Sequence, residues 1–215
     1  PKNSPVYLKG SLPVVEGTNV LVIKLEYSRF IDGIFWYGAP AISSPRDEQR
    51  GLLLRVYKST LDGAQHELTL MVPRCADLTK PSPLIIALPG WDGNVWSYAG
   101  AQLMRDADMR GYLVLTPETF GNILYTDKSE DGVMEALDLV MKEARIDPER
   151  VYITGLSMGG AGALQVAYHY PDRFAAVAAF YGDSQYDMGS GYIQRILGTK
   201  EQADRYSVIR FPENA

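Results

Sequence analysis

At 215 residues the chain is long enough for one domain with a full core and a short appendage. Its 26 acidic and 21 basic residues give a net charge of −5 without a dense Lys/Arg block, which argues against nucleic acid as the main partner. No apolar run reaches the roughly 18 residues of a membrane span, and the 46% hydrophobic content is that of a soluble globular protein. Cys75 is the only cysteine, which excludes an internal disulfide and a Cys-based metal cluster; in P-R-C-A-D after an apolar strand it is expected to be a small buried or half-buried residue. The chain begins at Pro1 without Met or a signal-like segment and is expected to be a processed or trimmed form. A location is not fixed by these features; a soluble protein on the exported side, secreted or periplasmic, is preferred.

Residues 1–48 read differently from the rest. Val14 to Phe30 is β-branched and aromatic, Asp32-Gly33 signals a turn, and the stretch from Gly38 to Arg50 carries Pro40, Pro45 and several charges, like a connector. This segment is expected to be a β extension or the end of a preceding β-module, with the main domain over 49–215. Leu52 to Tyr57 and His66 to Val72 alternate as a hairpin around Leu61-Asp62-Gly63. Pro83 to Leu88 is a wholly apolar strand, as expected when both faces are buried. Val95 to Arg110 has helical spacing and stops at Gly111, a C-terminal cap. Tyr112 to Leu115 is a buried strand. Ser129 to Arg145 is helical, with Val133, Met134, Leu137, Val140, Met141 and Ala144 on one face, and Asp147-Pro148 is expected to end it. Val151 to Thr154 then reads as a strand, Met158 to Tyr170 as a small-residue helix, and Ala175 to Tyr181 as a further apolar strand. Ile193 to Leu197 and Gln202 to Tyr206 are short helical pieces. A hairpin followed by strand–helix alternation with doubly buried strands predicts an α/β fold with a mostly parallel sheet and helices on both faces.

The strongest chemical signal is V-Y-I-T-G-L-S-M-G-G-A-G, residues 151 to 162, containing Gly155-x-Ser157-x-Gly159. Alone, the five-residue pattern is common. Its context is specific: a β-branched strand runs into it and a helix follows without a loop, the arrangement of a nucleophile elbow. The serine must sit at a tight, strained turn for its hydroxyl to project above the sheet, and the glycines leave room for strand and helix to approach. The helix dipole favours negative charge developing near Ser157. An oxyanion hole needs two backbone N–H donors; Met158, after the nucleophile, and Trp91, in the loop L-P-G-W-D-G-N over 88–94, are the candidates. Trp91, Trp96, Tyr98 and Tyr125 line an aromatic cleft or pack the core; the sequence supports both.

A serine needs a base. His169 lies 12 residues past Ser157 on the same predicted helix, about 18 Å away, and is read as structural. His66 begins a strand of the early hairpin and is expected far from the strand ends that face Ser157. Asp183 follows a sheet strand and is a candidate acid or cleft residue. No metal-ligand cluster or phosphate loop is present, so no cofactor is expected.

The segments P-L-I-I-A-L-P-G-W, I-D-P-E-R-V-Y-I-T-G-L-S-M-G-G-A-G-A-L and H-Y-P-D-R-F-A-A-V-A resemble the esterase and prolyl-oligopeptidase-like branch of the α/β-hydrolase superfamily, close to polyhydroxyalkanoate-depolymerase-type and feruloyl-type esterases. The resemblance implies Ser157 as nucleophile, Trp91 and Met158 as oxyanion donors, and hydrolysis of small or polymeric carboxylic esters through an acyl-enzyme. It also implies that the catalytic Asp and His lie beyond Ala215, in a chain lacking the last strands of the fold. The alternatives are a prolyl-oligopeptidase-type serine peptidase and an inactive hydrolase-like binding module. The oligomeric state is left open.

Overall fold

The computed structural model describes residues 50–118, 120–211 and 214; the expectation of a β extension over 1–48 lies outside them. Among these residues six strands form one sheet: β1 (Gly51–Lys58), β2 (Gln65–Val72), β3 (Ser82–Leu88), β4 (Leu113–Pro117), β5 (Ile146–Leu156) and β6 (Ala176–Phe180), in the order β1-β2-β4-β3-β5-β6. The predicted hairpin pairs β1 with β2 antiparallel, and β2 runs antiparallel to β4. The strands β4, β3, β5 and β6 are mutually parallel. Among the described residues five α-helices connect or cover them: α1 (Gln102–Arg110), α2 (Lys128–Glu143), α3 (Met158–His169), α4 (Gly191–Leu197) and α5 (Lys200–Tyr206).

The side-chain period of two sorts the sheet onto two cores. Leu84, Ile86 and Leu88 of β3, Leu113 and Leu115 of β4, and Leu68, Leu70 and Val72 of β2 meet α2 and α3 through Val133, Leu137, Ala163 and Val166. The intervening Ala87, Val114 and Met71 face Met104 and Ala107 of α1 on the other side. Alternate residues buried on opposite faces explain why these strands read as continuous apolar runs.

Four expectations are corrected. Helix α1 starts at Gln102, not Val95, because residues 94–101 make successive four-residue turns: Ser97, Ala99 and Ala101 donate their N–H to the carbonyls of Asn94, Trp96 and Tyr98. The Asn94 and Ser97 side chains also bond backbone N–H groups there, offering the chain an alternative to the helix. Its end is as expected, with Gly111 left-handed at φ 76°. Strand β5 starts at Ile146 and runs through Asp147-Pro148, because Ile146 already pairs with Ser82 and a register shift before Leu84 accommodates the proline. Strand β6 is apolar but exposed at alternate residues, and among the described residues it is the last strand of the sheet. Cys75 is exposed, since it sits in the turn after β2, where its Sγ donates to the Asp108 carbonyl at 3.0 Å.

Candidate active site

The parallel strands end together at Leu88, Pro117, Leu156 and Phe180. From β3 the chain crosses first to β4 on one side and later to β5 on the other, so the loops after β3 and β5 separate at a topological switch point, the usual site of a crevice in such sheets. Ser157 and Trp91 occupy those two loops.

Ser157 joins β5 to α3 with no intervening loop, at φ 56° and ψ −120°, a conformation that side chains adopt only under tertiary constraint. The constraint is close packing. A methyl group on Gly155 would overlap the Gly159 backbone, and one on Gly159 would overlap the Leu88 carbonyl. Gly160 lies against the Phe180 carbonyl and Gly182, and Gly162 against the Tyr125 ring. The Ser157 N–H donates to the Phe180 carbonyl at 2.8 Å, pinning the turn to the end of β6. The Ser157 side chain is exposed, whereas Met158 is buried at the first position of α3. That position leaves the Met158 N–H among the orphan donors of a helix start.

The loop after β3 presses on the elbow: a Cβ on Gly90 would stand 3.1 Å from the Leu156 carbonyl and 3.8 Å from the Ser157 Cβ. Its shape is held from outside. Asp92 takes a positive φ of 56°, its N–H donates to Asn122 Oδ1 at 2.8 Å, and Asn122 Nδ2 donates back to Asp92 Oδ1 at 2.6 Å. Tyr125 is fully buried and donates its hydroxyl to the Pro89 carbonyl at 2.8 Å; Tyr98 donates to the Leu88 carbonyl at 2.9 Å. Burial raises the pKa of both phenols, so both stay donors at neutral pH. Of the aromatics left open by the sequence, then, Tyr98 and Tyr125 support the loop from below and Trp91 faces the cleft.

That cleft has a volume of about 620 Å³ and is lined by Trp91, Ser157, Tyr192, Arg195 and Ile196. Trp91 meets Tyr192 edge-on, with ring centroids 5.7 Å apart. Asp183 is exposed, beyond β6, and close enough to Tyr192 that its charge adds to burial in raising the tyrosine's pKa. Sequence reasoning missed Tyr192, Arg195 and Ile196. Their spacing of i, i+3, i+4, opposite the apolar pair Ile193 and Leu197, was the available signal.

Neither histidine reaches Ser157. His169 Nδ1 lies 2.6 Å from Glu130 Oε1, and its Nε2 is 3.2 Å from the Arg205 carbonyl, a structural tie between α2, α3 and α5. His66 is on the same end of the sheet as the serine, contrary to expectation, because β2 is antiparallel to β4 and its start lies beside the end of β4. Three strand spacings, about 14 Å, still separate β2 from β5. His66 is held between Asp62 and Glu118 and stacks on Phe120 at 4.2 Å. Among the described residues no group of three or more His, Cys, Asp or Glu side chains is arranged to hold a metal, and no helix is long and apolar enough to cross a membrane.

The Esterase family model matches residues 129–187, from α2 through the elbow to just past β6. The bifunctional acetylxylan esterase/xylanase XynS20E of Neocallimastix patriciarum is 28% identical over 158 residues, covering 68% of this chain and 23% of that protein. Dipeptidyl-peptidase 5 of Porphyromonas gingivalis is 27% identical over 59% of this chain and 20% of its own length. Feruloyl esterase B of Neurospora crassa is 30% identical over 48% of this chain and 40% of its own. The chain thus spans less than half the length of each of these curated relatives. In three dimensions it is similar to an S-formylglutathione hydrolase from Agrobacterium tumefaciens, with a TM-score of 0.65 at 23% identity over 81% of this chain and 74% of that one. A mostly parallel sheet with a strained serine between its fifth strand and the next helix gives this chain the α/β-hydrolase fold, and in sequence it is similar to feruloyl and acetylxylan esterases.

Proposed function

We propose that the chain carries the nucleophile side of a serine carboxylesterase. The observation that carries this reading is Ser157 itself, exposed at φ 56° and ψ −120° at the head of α3 and facing Trp91 across an open cleft. The Ser157 Oγ attacks the ester carbonyl carbon, and the carbonyl oxygen becomes an oxyanion held by the main-chain N–H groups of Met158 and Trp91. Collapse releases the alcohol and leaves an acyl-enzyme, which water then hydrolyses. The α3 dipole adds to oxyanion stabilisation within its first turn. Proton transfer requires a base that neither His66 nor His169, each engaged elsewhere, supplies. Asp183 stands in this reading beside Tyr192, next to the cleft and outside its lining. The substrates are carboxylic esters, small or polymeric, in line with the names of the acetylxylan and feruloyl esterase relatives.

Fluorophosphonate labelling followed by peptide mass mapping tests the nucleophile: the adduct is expected on Ser157 and absent from Ser157→Ala. Labelling elsewhere, or none in the full-length protein, removes the reading. The dipeptidyl-peptidase relative supports a second reading, in which the same serine cleaves amides. Comparing p-nitrophenyl esters with peptide p-nitroanilides on the full-length protein separates the two.

A further inference from the structure

Helix α4 has seven residues and two faces. Ile193 and Leu197 are buried in the main core, while Tyr192, Arg195 and Ile196 turn to the cleft that holds Ser157. Two of those three extend the apolar wall begun by Trp91. The third is a cation. Eight of the eleven described arginines are tied down: Arg55 pairs with Glu143, Arg74 with Asp108, Arg150 with Asp147, Arg173 with Asp138 and Arg210 with Asp204, while Arg50, Arg105 and Arg145 donate to backbone carbonyls. Arg195 has no ion pair or side-chain hydrogen bond among the described residues. Its place in the last turn of α4 complements the helix dipole, which accounts for its sign but not for its projection into the cleft with Tyr192 and Ile196. In a chain of net charge −5, a lone guanidinium beside the nucleophile runs against the average field.

We propose that the cleft selects aryl esters that carry a carboxylate, with the Trp91–Tyr192 pair receiving the ring and Arg195 receiving the anion. This rests on the esterase reading of Ser157. The edge contact between Trp91 and Tyr192 leaves a ring surface on which an aromatic group stacks. A guanidinium offers a planar fork of donors that matches a carboxylate two-to-two. Asp183 is the competing acid nearby, but it forms no ion pair with Arg195, so the fork stays available. Because Arg195 is exposed, solvent screens the contact and the preference is modest, about tenfold.

The test compares 4-acetoxybenzoate with its methyl ester, two aryl acetates differing in one charge, on the full-length protein. The ratio of their kcat/KM values is expected to fall about tenfold in Arg195→Ala, to be largely kept in Arg195→Lys, and to fall further in Arg195→Glu. In the unsubstituted protein the ratio falls as salt is raised from about 0.01 to about 1 M, where the Debye length shrinks from about 30 to about 3 Å. A ratio that Arg195→Ala leaves unchanged overturns the proposal. Titration of the Ser157→Ala protein with 4-hydroxybenzoate and with methyl 4-hydroxybenzoate keeps the two readings apart. Tighter binding of the acid that vanishes in the Ser157→Ala/Arg195→Ala protein upholds the anion-receiving cleft even if neither ester is turned over and Ser157 is never labelled. Equal binding of acid and methyl ester sinks it even if Ser157 proves to be an esterase nucleophile.

Discussion

A serine at φ 56° and ψ −120° is held there by what has been left out around it. Gly155, Gly159 and Gly160 are glycine because the end of β3, the head of α3 and the end of β6 meet at the elbow with no space for a side chain. Gly159→Ala is the sharpest probe, since its new methyl would collide with the backbone carbonyl of Leu88, which cannot rotate away. The expected outcome is a loss of more than about 2 kcal/mol of stability by denaturant titration, with Ser157 displaced and its fluorophosphonate labelling slowed. A stable, normally labelled variant would mean that the elbow tolerates a wider turn than its packing implies. The elbow was legible in the sequence because its requirements are local: small residues at fixed offsets from one serine, between a β-branched strand and a helix. Arg195 was not, since its importance comes from which face of α4 the Ile193 and Leu197 anchors turn inward, and that is decided by the core, not by its neighbours in the chain.

At the scale of elements, long periodic segments read correctly and strained ones did not. The hairpin of β1 and β2, helix α2 and helix α3 carry periods of 2 or 3.6 over many residues. The loop after β4 carries no period, yet it holds Phe120, Leu124, Tyr125 and Asp127 at positive φ. Its supports come from remote elements: the Pro89 carbonyl takes the Tyr125 hydroxyl, Gln165 Nε2 donates to the Tyr125 carbonyl, and the Tyr206 hydroxyl takes the Asp127 N–H. Local sequence cannot announce partners 36, 40 and 79 residues away. The helices that frame this loop are joined by the Glu130–His169 pair, whose chemistry makes their docking sensitive to pH. The Glu130 hydrogen bond raises the His169 pKa above 6.5, and burial raises that of Glu130 above 4.5 despite the pull of His169. Both shifts make the folded state bind more protons than the unfolded one, so stability falls as pH rises. The His169 contribution is complete below pH 6.5 and is lost as pH climbs through the raised folded value. Melting temperature is therefore expected to decline as pH rises above 6.5, and to decline less steeply in His169→Gln. Equal slopes in the two proteins would show that the pair does not couple protonation to folding.

Over the whole molecule, the chain's two histidines are both committed elsewhere. His169 ties α2, α3 and α5 together at the far end of the helix that Ser157 begins, and His66 is clamped between two carboxylates some three strands from the elbow. The cleft, the strained serine and the helix start are assembled without either of them. A polypeptide of residues 1–215 is accordingly expected to bind ester and stabilise an oxyanion without activating its nucleophile. Its hydrolysis of p-nitrophenyl acetate is expected to exceed the rate in water by about 10³–10⁴ and to fall on the order of 10⁶ below that of an intact triad. Ser157→Ala should change that residual rate little, because an unactivated serine contributes little beyond what the oxyanion site and binding already supply. Burst kinetics and steady-state turnover on this polypeptide check the point. Turnover near about 10 s⁻¹, abolished by Ser157→Ala and by His66→Gln but not by His169→Gln, would require β2 to move by several strand spacings and would overturn the assignment of His66 as a structural residue.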